Sequence, residues 1–359
     1  MKLAKTIIIL MMSLSLAACK GGNTMKIITL EEHYTDQRII DANNAFNVNL
    51  PPMSPEQAET MKFLMSKAYP GEELLDFDKR LQYMDENKIT MQVLSYTSPV
   101  SDLVPAEEAV KICRQANDIT KKHIDEHPDR FAGFATLPMA DPKAAAEELE
   151  RCVKELGFCG VLLAGRYKGR FYNEEEFFPI FEKAAELDVP VYFHPAFIPE
   201  EVQEIYYMSD AYSRIVGAQF AGAAYGWHSE VGIQIIRLIL SGIFDKLPNL
   251  KFITGHWGET MPAFLERMDY MMDRDVTGLK KQVSEYFKKH VYITPSGIMS
   301  NDQLEYIVKI MGADHVMYAI DYPYIKPDNA YDFLMKSNLT EEQKEIIAYK
   351  NAERILHLK

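Results

Sequence analysis

Five residues of ligand or acid/base type stand at the ends of short apolar runs. Glu31 and His33 follow Ile27-Ile28-Thr29-Leu30, and His194 follows Val191-Tyr192-Phe193. His256 follows Phe252-Ile253-Thr254-Gly255, and Asp321 follows Val316-Met317-Tyr318-Ala319-Ile320. One His or Asp at a strand tip is ordinary. The same pattern at four tips, with helical stretches between, reads as a metal site at the mouth of a parallel β/α barrel. Imidazole nitrogens mixed with carboxylate oxygens suit Zn²⁺ or Mn²⁺ better than soft metals, and the carboxylate share also admits Mg²⁺.

Each member has a reading of its own. Residues two apart in an extended segment face the same side, so Glu31 and His33 can both enter the barrel mouth while Glu32 points away, solvated or paired with a helix. Pro195 ends the strand after His194, because proline cannot continue a central ladder. Alone, His194 is as well explained by a hydrogen-bonded strand end as by a ligand. His256 lies in Gly255-His256-Trp257-Gly258-Glu259, where two glycines allow close backbone approach and Glu259 can fix the imidazole tautomer. A carboxylate after a buried run, as at Asp321, is costly unless paired or metal-bound. His228 either lines the pocket or caps a helix. Arg166, Lys168 and Arg170 could attract an acid substrate or sit in a solvated loop.

Strand then helix recurs along the chain. Strands are expected at 26–30, 91–96, 131–136, 160–164, 189–193, 250–255, 291–295 and 316–320, apolar on consecutive positions as in strands buried on both faces. Helical spacing marks 74–87, 105–127, 143–156, 174–187, 231–244, 261–288, 302–311 and 331–337. Pro105 with Glu107 and Glu108, and Asp141-Pro142, are start signals, and Gly157 is a stop. Eight such pairs suit one closed (β/α)8 TIM barrel over 26–359. The rival doubly wound sheet lacks its glycine fingerprint after a first strand. Two long loops leave strand ends, 34–71 after strand one (with Phe46, Pro51, Pro52 and Tyr69) and 196–229 after strand five. They are expected to build the pocket or a subunit contact.

The 359 residues are 47% hydrophobic and 25% charged, with a net charge of −13. A sizeable core is affordable, and no basic footprint for nucleic acid or anionic lipid exists. An acid substrate would need a local positive centre, which a bound divalent cation supplies. Lys2 and Lys5 precede an apolar run over 7–16, shorter than the ~20 residues a span needs. The ending Leu16-Ala17-Ala18-Cys19 resembles a bacterial lipobox. The expected organisation is a signal peptide over 1–18, lipidation of Cys19, and a tether over 19–25. The protein would then be membrane-anchored on the periplasmic or cell-surface side, with membrane contact only through that lipid; initiation at Met25 would instead give a cytoplasmic enzyme. Cys113, Cys152 and Cys159 have no metal-type spacing and read as buried thiols, although a Cys152–Cys159 disulfide is open.

The motifs together resemble the amidohydrolase superfamily, in its amidohydrolase-2 branch. Leu30-Glu31-Glu32-His33 is similar to the start of γ-resorcylate and dihydroxybenzoate decarboxylases. His194-Pro195, Leu240-Ser241-Gly242-Ile243-Phe244-Asp245, Gly255-His256-Trp257-Gly258-Glu259 with Arg267, and Asp321-Tyr322-Pro323-Tyr324 extend the likeness over nearly the whole chain from Met25. The resemblance implies one divalent metal on Glu31, His33, His194 and Asp321. It makes His256 and Glu259 an acid/base pair, with Arg267 holding Glu259. The implied reaction is non-oxidative decarboxylation of a hydroxylated aromatic or related unsaturated carboxylate, with Asp321 as proton donor and His256 assisting. Phe46, Trp257 and Tyr322 could pack on the ring, as readily as they could pack barrel against helix, and His228 could touch a hydroxyl. The alternative is metal-assisted hydrolysis of a lactone or amide with Asp321 as base. A non-catalytic surface binding protein on an inherited barrel would predict a damaged ligand set. A homodimer or homotetramer is expected.

Overall fold

The computed structural model describes residues 25–46, 54–68, 70–96 and 102–358. The expected signal segment, Cys19, Pro51, Pro52 and Tyr69 lie outside these residues.

Among the described residues, the named strands pair in parallel throughout. One sheet holds β1 (Ile28–Tyr34), β2 (Met91–Tyr96) and β3 (Phe131–Gly133). The other holds β4 (Val161–Ala164), β5 (Val191–His194), β6 (Phe252–Thr254) and β7 (Val291–Ile293). Three bridges join the sheets into a ring. Ala135 pairs with Val161, Ile293 with Val316, and Leu30 with Ala319. The expected eighth strand at 316–320 therefore closes the barrel through isolated bridges, with the Leu30 N–H donating to Tyr318 O at 2.9 Å and the Met317 N–H to Ile293 O at 2.9 Å.

The two faces of each strand feed two cores, as period-two alternation demands. Ile28, Leu30, Val93, Tyr192, Ile253, Tyr292, Met317 and Ala319 fill the interior. Val161, Leu163, Val191, Phe193, Phe252, Val291 and Ile320 meet the surrounding helices. Those helices are α1 (Phe77–Glu86), α2 (Ala106–Glu126), α3 (Pro142–Lys154), α4 (Phe178–Glu186), α5 (Gly226–Leu240), α6 (Val283–His290) and α7 (Asn301–Met311). Their starts follow capping chemistry. Asp141 accepts from the N–H groups of Lys143 and Ala144 with Pro142 in the first turn, and Ser300 accepts from Gln303.

Three features depart from or extend the expected elements, and the buried-thiol reading holds. The continuous helix at 261–288 is broken into Met261–Phe264, Leu265–Met271, Arg274–Thr277 and α6. The Asp273 cap and Gly278 at φ +70° impose turns that override the apolar spacing. The loops after β1 and β5 carry helices of their own, including Gln37–Asn44, Pro55–Ala68, Glu200–Tyr206 and Arg214–Ala221. Residues beyond 337 add further helix, where Asn351 donates to the carbonyls of Ala313 and Val316 and so seals the start of the eighth strand. Cys113, Cys152 and Cys159 are buried free thiols, so the Cys152–Cys159 disulfide does not form.

Candidate metal centre

The site begins with a flaw in β1. Its register against β2 shifts between Thr29 and Glu32, and Glu31 sits at φ +63°. This bulge, not simple two-residue alternation, brings Glu31 and His33 together. It also corrects the expectation for Glu32. That side chain is fully buried, accepts from the Ile320 N–H at 3.0 Å and from Gln92 Nε2 at 3.0 Å, and touches no solvent. Burial pushes its carboxyl up to about 8. Arg80, also fully buried, donates to Gln92 Oε1 at 3.0 Å and to the carbonyl of His33. A buried strut thus holds the backbone on which His33 hangs.

Ligand atoms of Glu31, His33, His194 and Asp321 all lie within 4.8 Å of one another. His33 Nε2 is 3.0 Å from His194 Nε2 and 3.3 Å from Asp321 Oδ1. His194 Nε2 is 3.3 Å from Glu31 Oε1. The His194 Nδ1–H donates to the Pro195 carbonyl at 2.7 Å, which leaves its Nε2 lone pair facing the cluster. His33 Nδ1 meets Ser95 Oγ at 3.0 Å. Burial, aided by Arg80 and His256, holds His33 down to about 3; burial and the neighbouring histidines hold His194 far below the usual range. Both rings are neutral, as metal ligation requires.

The carboxylates show the same need for a cation. Glu31 Oε2 accepts from Tyr192 and Ser296, while Glu31 Oε1 is buried without a hydrogen-bond partner. Burial, opposed in part by His256, raises both Glu31 and Asp321 to about 7. A divalent ion among the four would complete Oε1 and favour the ionised form of Glu31. The residues present therefore fit such an ion. Glu31 and His33 are wholly buried, whereas the Asp321 and His194 side chains keep 14% and 16% exposure. The open face of the cluster is thus the Asp321–His194 side.

A second cluster adjoins the first. Glu259, fully buried, binds His256 Nδ1 at 2.8 Å through Oε1 and His228 Nδ1 at 2.9 Å through Oε2. His256 Nε2 looks toward Glu31 Oε1 at 3.9 Å. Burial would lower His256, but Glu259 and Glu31 outweigh it and raise the ring to about 10; burial would raise Glu259, but the two imidazoles hold it down. His256 is therefore a charged donor beside the first cluster. The turn that presents it is strained. His256, Trp257, Glu259 and Thr260 all have positive φ, as do Ser296 and Asp321. Gly255 is indispensable here, since a Cβ would lie 2.6 Å from Ser296 Oγ and 2.9 Å from Glu31 Oε2.

Other expected contacts fall elsewhere. Arg267 is exposed, and both Glu259 oxygens are taken by histidines, so Arg267 does not hold that carboxylate within the chain. Trp257 is buried, with its indole N–H on Ile298 O at 2.8 Å. Tyr322 stacks on Tyr83 at 4.6 Å beneath Arg80, and Phe46 packs on the hydrophobic core. Tyr324 meets the cluster edge-on to His33 at 5.5 Å, and Tyr192 meets it through its hydroxyl on Glu31. Ser95, Tyr192, Ser296 and Arg80 carry no sequence motif; strand register brings Ser95 and Tyr192 to the site, the turn after β7 brings Ser296, and helix α1 brings Arg80.

The barrel, its parallel register and a carboxylate–histidine cluster at the strand ends define a class. Residues 69–358 match the amidohydrolase family model, and the chain belongs to that family. It is 33% identical over 347 residues to the decarboxylase orsB of Emericella nidulans, covering 94% of this chain and 99% of that one. It is 32% identical over 346 residues to the γ-resorcylate decarboxylase of Polaromonas sp., covering 92% and 98%. Among solved structures, the dihydroxybenzoic acid decarboxylase of Polaromonas sp. with bound manganese and 2-nitroresorcinol superimposes with a TM-score of 0.78 at 31% identity, covering 93% and 97%.

Proposed function

We propose that the protein is a metal-dependent, non-oxidative decarboxylase of a hydroxylated aromatic carboxylic acid, with Glu31, His33, His194 and Asp321 holding one divalent ion. The observation that carries this is the pairing of two buried clusters: four convergent ligand atoms, and beside them a histidine held by an ionised glutamate. The decarboxylases named above, one of them with manganese bound, support the reaction and the ion.

A divalent ion held by Glu31, His33, His194 and Asp321 would supply the positive charge that neutralises the substrate carboxylate and helps orient it. The chain supplies the rest. Asp321, on the open side of the cluster, gives its proton to the ring carbon that bears the carboxylate. The bond from that carbon to the carboxylate then breaks, its electron pair restores aromaticity, and CO₂ departs. His256 returns a proton to Asp321 and is recharged from solvent, while Glu259 holds its Nδ1 and His228 holds Glu259. CO₂ release from a panel of hydroxybenzoates, measured beside lactone, amide and ester hydrolysis by the manganese-loaded protein, tests this. Hydrolysis without CO₂ from any of them would replace the reading with the hydrolase one.

Two further features belong to the proposal. Lipidation at Cys19 would place the enzyme on the outer side of a membrane. Exposed apolar residues on the β5 insertion, Phe197, Ile205 and Tyr206, suit association into a homodimer or homotetramer.

A further inference from the structure

Two of the four ligand residues meet across the seam between β1 and the eighth strand, where regular pairing stops. Leu30 and Ala319 form an isolated bridge, β1 shifts register between Thr29 and Glu32, and Asp321 leaves the eighth strand at φ +69°. Past that bridge, the Ile320 N–H donates to Glu32 Oε1 at 3.0 Å and the His33 N–H donates to the Tyr322 carbonyl at 2.7 Å. The residues on either side of Asp321 are thus tied to Glu32 and His33, and His33 Nε2 stands 3.3 Å from Asp321 Oδ1.

The side-chain tie continues inward as one buried chain. Glu32 Oε2 accepts from Gln92 Nε2 at 3.0 Å, Gln92 Oε1 accepts from Arg80 Nη1 at 3.0 Å, and Arg80 Nη2 donates to the His33 carbonyl. Glu32, Gln92 and Arg80 have no exposed surface. Helix α1 also grips the residue after Asp321, with the Arg80 guanidinium 4.8 Å over the Tyr322 ring and Tyr83 stacked on that ring at 4.6 Å. A guanidinium only donates and a carboxylate only accepts, so the Gln92 amide between them has one orientation that satisfies both. In a dry interior a mismatch is not repaired by solvent.

We propose that Glu32, Gln92 and Arg80 are positioning residues that set the spacing of His33 and Asp321 across this seam, through their hydrogen-bond pattern and not only their bulk. This rests on the metal-dependent decarboxylase reading above. Glu32→Gln tests it, because its new N–H faces the Gln92 donor, and turning either amide only moves the clash to Arg80 or Ile320. In the manganese-loaded variant, CO₂ release from the hydroxybenzoate that the parent turns over fastest is expected to lose about 10–100-fold in kcat, with KM within about threefold. The electron paramagnetic resonance spectrum of the bound manganese changes with it. The double exchange of Glu32→Gln with Gln92→Glu restores all three side-chain bonds with the middle one reversed. The new amide accepts from Ile320 and donates to the new carboxylate, which accepts from Arg80. It returns kcat to within about threefold of the parent and restores the spectrum. A merely structural role would lower the urea midpoint and leave kcat and spectrum at parent values in the folded variant. Arg80→Lys keeps the charge but replaces the two-armed fork by one nitrogen. It serves if Glu32→Gln does not fold, and the same losses are expected. Parent-like kcat and spectrum in whichever single variant folds, or a loss that the folded double exchange does not restore, overturns the proposal. Failure of all three to fold makes the network structural and overturns it too. The spectrum needs no turnover, so the two readings separate. A spectrum that changes in Glu32→Gln and returns in the double exchange, with no CO₂ from any hydroxybenzoate, sinks the reaction and keeps the positioning role. Undiminished CO₂ release from Glu32→Gln with an unchanged spectrum does the reverse.

Discussion

Ser296 and Tyr192 both give hydroxyl hydrogens to Glu31, and Ser296 sits at positive φ to do so. Such outer partners orient a ligand and favour its ionised, metal-binding form, so Ser296→Ala is expected to weaken manganese binding by about 10–100-fold. Equilibrium dialysis against a competing chelator reads this; affinity within twofold of the parent would remove Ser296 from the site. His256 has a different role. His256→Asn should lower CO₂ release by about 10²–10⁴-fold while manganese content stays near one per chain. Loss of the metal in that variant would make His256 a ligand rather than a proton donor. At this scale the sequence displayed the charged members well. Glu31, His33, His194, His256, Glu259 and Asp321 stand in motifs that end apolar runs, and the structure brings them together. Glu32 departs from its expected place because a one-residue bulge, invisible in alternation, turns its carboxylate onto the Ile320 N–H. Ser296 and Tyr192 were illegible because a lone hydroxyl on or beside a strand looks like any other until its register is known.

The elements around the barrel depend on a few buried ties. Glu148 on α3 is 1% exposed, and it accepts from Asn117 Nδ2 at 2.8 Å and Arg114 at 3.2 Å on α2, and from Arg151 at 2.7 Å on its own helix. Burial would raise its carboxyl, but Arg151, Asn117 and Arg114 outweigh burial and hold it below the ordinary range. A carboxyl depressed by folding adds stability at pH above the unfolded value and loses it as pH falls through the folded one. Glu148→Gln is therefore expected to cost about 1.5–3 kcal/mol near neutral pH and less in acid, as the pH falls below the unfolded value and the parent loses this contribution. Urea unfolding at pH 7 and at pH 3 reads this; an equal loss at both would assign the effect to packing. Most elements were legible from consecutive apolar runs and from caps such as Asp141-Pro142. The failures have physical causes. The apolar spacing over 261–288 is real, but local capping at Asp273 and the left-handed Gly278 divide it. The eighth strand makes only isolated bridges, although its sequence reads as strongly as its neighbours'.

Among the described residues, the most exposed large apolar side chains lie on the long insertion after β5 and on 264–276, where Phe264, Tyr270, Met271 and Val276 are exposed. Light scattering should return two or four times the monomer mass; a monomer at micromolar concentration would contradict the proposed assembly. For the proposed anchor, Cys19→Ser should move the protein from the detergent-extracted membrane fraction to the soluble one, and identical fractionation would contradict it. The central claim is the reaction, and deuterium labelling tests it most directly. With the manganese-loaded protein in D₂O and a dihydroxybenzoate substrate, one CO₂ should leave per phenol formed, and the carbon that lost the carboxylate should carry one deuterium. Both should vanish on metal removal and in Asp321→Asn. Hydrolysis of a lactone, amide or ester by the same loaded protein, with no CO₂ from any hydroxybenzoate, would contradict the account.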